Sequence, residues 1–312
     1  MTVLTFGETM ALVGAVGTGP LAHTATMELG IGGSESNFAI ALRRLGVDVA
    51  WVGRVGSDSF GDRVERELHA ERLDVHVVRD SEAPTGLMVK ERRTSTATRV
   101  WYYRAGSAGS RFEIGDVPEA LWANVSHLHV TGITPALSDS ALKATLHYVE
   151  LAHAEGVTVS FDLNYRQALW SKEQATPVYR RIIEQSDIVF AGTDEAAIAV
   201  GDGTPTDMAR RICSMGPKEA VMKLGERGAL ALVDGELYRA PAVPVTVVDS
   251  VGAGDGFVAG YLAERLAGSL PQKRLAVGVQ VGAFACTVAG DWEGMPKREE
   301  LDLLTAEEAV TR

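Results

Sequence analysis

Short apolar runs rich in β-branched residues recur along this chain, each followed by a helix-length pattern. "TVLTFGE" (2–8), "VDVAWVGRVG" (47–56), "HLHVTG" (127–132), "VTVSFDLN" (157–164), "DIVFAG" (187–192) and "EAVMKLG" (219–225) are such runs. Runs that are apolar at successive positions belong to strands covered on both faces. Between them, "SESNFAIALRRLG" (34–46) opens on a Ser cap and ends on Gly46, and "SFGDRVERELHAERL" (59–73), "SDSALKATLHYVELAHAEG" (138–156) and "KEQATPVYRRIIEQS" (172–186) behave alike. The alternation predicts an α/β fold built on an open, mostly parallel sheet. At 312 residues the chain can form one large domain, or a core with an appendage.

Residues 10–33 and 85–107 break this rhythm. Neither has helical periodicity, and "LMVKERR" and "TRVWYYRAG" partly alternate apolar with polar residues, as in a sheet with one wet face. We read the two segments as one small antiparallel β lid, attached to a core made of 1–9, 34–84 and 108–312. Two long surface hairpins are the alternative.

The net charge of −11 disfavours non-specific nucleic-acid or membrane-surface binding. Cys213 and Cys286 lie far apart in apolar helical patterns and read as buried, reduced thiols of a cytoplasmic chain. No leader-like start and no membrane-length apolar run is visible.

The chemistry concentrates in "DSVGAGDGFVAG" (249–260), where Gly252, Gly254 and Gly256 surround Asp255 ahead of a helical pattern. Bare backbone amides at a helix start favour an anion. There is no lysine and no Walker spacing. "GDGFVA" nominally fits a dinucleotide fingerprint, but Arg274 stands where an acidic ribose ligand is needed. A purely structural turn leaves Asp255 unexplained. A general base explains it: a carboxylate beside a phosphate-binding turn takes the proton of a substrate hydroxyl, and the amides of 252–255 stabilise the phosphoryl charge.

Together with "GGSESNFAIALRRLG" (32–46), this stretch resembles the paired signatures of the ribokinase-like (PfkB) family of sugar kinases, over the whole chain and lid included. The resemblance implies a three-layer αβα core, ATP and Mg2+ as cofactors, Asp255 as catalytic base, and Gly252, Ala253 and Gly254 as anion hole. Ser250 stands where threonine is usual and keeps the hydroxyl. Lys223, Gly225 and Gly228 of "KLGERGALAL" match the family's nucleotide element; a plain hairpin with a bracing lysine is the alternative. Glu195 matches the glutamate that holds magnesium through water, although Gly192 replaces the usual Asn; a first-turn helix acid is the alternative. Asp249 and its neighbours resemble the monovalent-cation (K+) site found in some members.

For the acceptor, "YYRAGSA", "DLNYRQALW" and "GDWEGMP" resemble the 2-keto-3-deoxygluconate kinase branch of the family. That implies Gly33, Asn37, Tyr102, Arg104, Arg166 and Asp291 as substrate contacts, and transfer to the 6-hydroxyl. Tyr102 and Arg104 share one face of a strand, with Tyr103 on the other. Two arginines suit an acidic sugar, because a guanidinium fork fits a carboxylate. Met88 stands where some relatives carry tyrosine. Arg104 as a solvated lid residue, Arg166 paired with Asp162, and Asp291 as a loop acid are the plainer readings. Trp101 and Tyr103 point to a homo-oligomer through the lid sheet, with Val100 in the same apolar face. A neutral-sugar (fructose, ribose) or nucleoside kinase, a non-catalytic sugar or nucleotide sensor, and an NAD-dependent oxidoreductase remain open.

Overall fold

The computed structural model describes residues 2–94 and 97–304. Residue 1, lid positions 95 and 96 and the core tail from 305 lie outside the described residues. In chain order the elements are β1 (Thr2–Phe6), β2 (Met10–Ala15), β3 (Met27–Gly32), α1 (Ser34–Arg44), β4 (Val49–Gly56), α2 (Ser59–Ala70), β5 (Asp74–Asp80), β6 (Leu87–Arg92), β7 (Thr98–Tyr103), α3 (Glu119–Trp122), β8 (Val125–Thr131), α4 (Asp139–Glu155), β9 (Thr158–Asp162), α5 (Lys172–Ile183), β10 (Ile188–Gly192), α6 (Thr193–Val200), α7 (Pro205–Cys213), β11 (Glu219–Lys223), β12 (Ala229–Val233), β13 (Glu236–Ala240), α8 (Ala253–Leu266) and α9 (Pro271–Ala285).

Successive residues of the central strands enter opposite cores. Val3, Ile188 and Phe190 pack with α1, α2, α8 and α9, while Leu4, Phe6, Val189 and Ala191 pack with α4 to α7. That two-sided burial is why these runs are continuously apolar, and it produces the three-layer αβα core. The large sheet has the order β13-β12-β11-β10-β9-β8-β1-β4-β5, parallel from β5 to β11. At the other end β12 pairs antiparallel with β11, and the edge strand β13 antiparallel with β12. β5 has no counterpart in the sequence reading. It pairs only with β4 at the sheet edge, so its valines stay half-buried and His76 interrupts them.

The chain order reverses at β1, which lies between β4 and β8. In open α/β sheets this switch point, at the carboxyl ends of the strands, is where ligands bind.

The second sheet has the order β3-β2-β6-β7. Its outer pairs are antiparallel, but β2 and β6 are parallel, so the sheet is mixed rather than antiparallel. The cause is topological: β2 and β6 each leave the same end of the parallel core sheet, after β1 and β5. Val100 also departs from expectation. It packs inward with Met10, Leu12 and Met88, leaving Trp101 and Tyr103 on the outer face at 50 % and 66 % exposure. Cys213 and Cys286 are free and half-buried, and burial raises both thiol pKa values, Cys213 to about 11. Among the described residues no helix is long and apolar enough to cross a membrane.

Candidate active site

A cleft opens at the carboxyl ends of β1 and β9, between the N-termini of α1 and α8 and beneath β6 and β7. Its walls include Glu8, Gly33, Ser34, Glu35, Asn37, Met88, Tyr102, Arg104, Arg166, Gly252, Asp255 and Asp291. The mix of apolar and convergent polar groups suits a small-molecule ligand.

Asp255 lies in the first turn of α8 and is buried. Its carboxylate is held by α1: the Ser34 hydroxyl donates to Oδ1 at 2.6 Å and the Asn37 amide to Oδ2 at 2.9 Å. Asn164, just past β9, donates to Ser34 Oγ at 2.6 Å and lies 3.5 Å from Oδ1. Burial pushes the Asp255 carboxyl up to about 6, against the pull of the Ser34 and Asn37 hydrogen bonds and the Arg166 and Lys223 charges. A carboxylate so poised can accept a proton near neutral pH. Gly252 precedes the helix with φ 78°, left-handed backbone that favours glycine, and a Cβ there would collide with the Asp291 carbonyl oxygen. Ala253, Gly254 and Asp255 supply the first-turn N–H groups that a helix leaves without helical partners. A Cβ at Gly254 would have as its neighbour the Lys223 ammonium, 3.7 Å away.

Lys223 is bound to the Asp162 carboxylate at 2.6 and 2.8 Å and lies 3.8 Å from Glu195. It braces β11 against β9 and also puts a positive charge beside the glycine turn. Gly225 and Gly228 form the β11–β12 hairpin turn with φ 57° and 82°. Ser250 is exposed at the approach to the turn. Glu195 caps α6, accepting from the Gly192 N–H at 2.6 Å and the Tyr165 N–H at 3.2 Å. No cluster of three or more His, Cys, Asp or Glu side chains among the described residues could cage a metal alone. That fits magnesium, which usually arrives on nucleotide phosphates, keeps several waters and needs one or two carboxylates. It does not fit a monovalent ion at Asp249. There Oδ2 takes the Lys90 ammonium at 2.8 Å and Oδ1 the Val251 N–H at 3.1 Å.

At the other end of the cleft the two arginines differ. Arg104 is not solvated: its Nε and Nη2 meet Glu8 Oε2 at 2.7 and 2.6 Å, and Tyr102 stacks 5.9 Å from its guanidinium. Its fork is therefore not open to a ligand carboxylate. Arg166 is exposed, makes no ion pair among the described residues, and is not paired with Asp162. Asp291 is buried rather than a loose loop acid, and its Oδ1 is 2.7 Å from the Lys90 ammonium. Asn37 and Gly33 line the cleft, but the Asn37 amide serves Asp255.

Glu8, Glu35, Lys90 and Asn164 are cleft or support residues that the sequence reading did not single out; Ser34, read there as a helix cap, is instead the first residue of α1 behind a Gly33 cap, and its hydroxyl serves Asp255. Glu8 and Asn164 each lie two residues past a core strand, where ligands gather in this architecture. Lys90 shares the inward parity of Met88 on β6, and a lysine on a buried face of a strand is a signal in itself.

A cleft at the sheet's switch point, with a buried carboxylate in a glycine turn at a helix start and a second sheet above, suits an α/β phosphotransferase for small molecules. More narrowly, the chain belongs to the pfkB family of carbohydrate kinases, whose model matches residues 2–298. It is a sugar kinase, and kinases of this family use ATP with Mg2+. It is 36 % identical over 316 residues to the 2-dehydro-3-deoxygluconokinase of Bacillus subtilis, covering 99 % of this chain and 97 % of that one. The crystal structure of 2-dehydro-3-deoxygluconokinase from Thermotoga maritima is similar, with 25 % identity, TM-score 0.91 and coverage of 98 % of this chain and 100 % of that one. So is a putative ribokinase II from Escherichia coli in complex with ATP and Mg2+, with 25 % identity, TM-score 0.91 and coverage of 97 % and 98 %.

Proposed function

We propose that the chain transfers the γ-phosphoryl group of ATP to the 6-hydroxyl of 2-keto-3-deoxy-D-gluconate, the 2-dehydro-3-deoxygluconate of the relatives' names. The observation that carries this is the presence on one cleft of Asp255, poised as a base, and Arg166, which makes no ion pair among the described residues. Arg166 takes the sugar carboxylate; Tyr102 and the remaining N–H groups of Arg104 contact sugar oxygens; 10–33 and 85–107 act as the lid. Asp255 removes the hydroxyl proton as the oxygen attacks the γ-phosphorus, and ADP leaves. The amides of 252–255 hold the charge on the transferred group, with Lys223 beside them. Magnesium, when bound with ATP, would neutralise phosphate charge, and Glu195 would help hold it. Gly225, Gly228 and Ser250 face the nucleotide.

The test is ADP release with 2-keto-3-deoxygluconate, fructose, ribose and adenosine at equal concentration. The acidic sugar is expected to give the highest kcat/KM. A higher value with a neutral acceptor replaces the substrate assignment, and tight binding without turnover of any acceptor overturns the kinase chemistry.

A further inference from the structure

Lys90 belongs to the lid strand β6, yet its ammonium is buried in the core. It lies 2.8 Å from Asp249, 2.7 Å from Asp291 and 3.4 Å from the Gly290 carbonyl oxygen. Two buried carboxylates and a carbonyl form an oxygen set that demands a positive charge. The same two residues also touch the glycine turn, Asp249 through its carboxylate and Asp291 through its backbone carbonyl. Asp249 accepts the Val251 N–H one residue before Gly252, and Gly252 packs on the Asp291 carbonyl. From the lid, then, a single ammonium ties together the two core segments that shape the anion hole.

We infer that Lys90 is the resident cation of this site: a tethered ammonium that does the work of a bound monovalent ion, so that the anion-hole turn is set by the lid and turnover needs no added K+. Lys90 is a positioning residue, since it acts on the turn through Asp249 and Asp291. The inference rests on the reading of 252–255 as the anion hole.

The experiment compares the full-length enzyme in potassium, ammonium, sodium and tetramethylammonium chloride at equal ionic strength, using whichever sugar it phosphorylates. Wild-type kcat is expected to be equal in all four. In Lys90→Ala, kcat is expected to fall about a hundredfold in tetramethylammonium, as for a misplaced catalytic group. Ammonium or potassium should restore much of kcat, with sugar KM changing less. Thermal melts of the ligand-free proteins supply a readout independent of turnover: small cations should raise the variant's melting temperature more than the wild type's. Activation of the wild type by potassium overturns the inference. So does a Lys90→Ala enzyme with unchanged kcat, or one that folds but responds to no cation in either readout. If the variant does not fold, the wild-type salt series still decides. If no sugar is turned over, the proposed function fails and the melts alone judge Lys90.

Discussion

Ser34→Ala tests the base through its support and leaves Asp255 in place. Ser34 makes the strongest of the contacts that hold the Asp255 pKa down, a 2.6 Å hydrogen bond to Oδ1. A hydrogen bond to a charged group is worth roughly 1.5–3 kcal/mol, equivalent to about one to two pKa units. Asn164 is already 3.5 Å from the same oxygen and, freed of Ser34, can donate to it, which favours the lower end. The acid limb of kcat/KM should therefore move up by about one unit from the wild-type value near 6. At pH 6 the ionised fraction then drops from about half to about a tenth, so the variant should be about fivefold slower, while at about pH 8 the two enzymes should nearly converge. The assay is initial-rate ADP release at subsaturating sugar across that range, at constant ionic strength. Titration of the nucleotide is common to both proteins and cancels in their ratio. A ratio independent of pH, or an acid limb moved downward, refutes a base whose ionisation Ser34 supports.

Asp255→Asn should lower kcat by about 10²–10⁴-fold, the usual worth of a general base, while sugar binding measured calorimetrically persists; near-normal turnover removes Asp255 from that role. Urea melts should show wild type losing about 1.4 kcal/mol relative to Asp255→Asn between about pH 5 and about pH 8; a pH-independent difference means the carboxyl pKa is not raised. Arg166→Ala should raise KM for the sugar acid about tenfold to a hundredfold while leaving the poor turnover of neutral sugars alone; an unchanged KM takes Arg166 out of the site. We propose that the outer lid face joins two copies, so Trp101→Asp with Tyr103→Asp should shift the sedimentation coefficient from dimer to monomer, whereas unchanged sedimentation excludes that face.

The layered core was legible because two-sided burial leaves a plain trace: short strands that are largely apolar on both faces. β5 escaped because an edge strand half-buried beside β4 leaves no such trace. In the cleft, Asp255 and the glycine turn could be read from local spacing, since helix start, glycines and carboxylate are neighbours in sequence. The pairings could not. Glu8 meets Arg104 across 96 positions, Lys90 meets Asp249 across 159 and Ser34 meets Asp255 across 221. No spacing rule reaches that far. These pairings changed the reading most, since Glu8 takes the fork of Arg104 and Lys90 binds Asp249, the residue read as part of a monovalent-ion site.

The distribution of those partners gives a physical reason to propose Asp255 as the base. Glu8 has Arg104, Asp162 has Lys223, and Asp249 and Asp291 share Lys90. Among the buried cleft carboxylates described, Glu35 and Asp255 are held instead by neutral donors: Thr131 and Thr134 for Glu35, Ser34 and Asn37 for Asp255. Burial raises the pKa of both, but Asp255 alone of the two stands in the glycine turn at a helix start, a place that favours an anion. A raised carboxyl pKa works against the folded state: stability contributed by the protonated group declines as pH climbs from 3.8 through about 6. The protein is thus least stable, as far as this group is concerned, when the base is ionised and active. A lysine placed against Asp255 would recover that stability and pull its pKa down, making it a weaker base. Neutral donors are the arrangement that fixes the carboxylate in position while keeping it basic, and Arg166 and Lys223 act on it only through space.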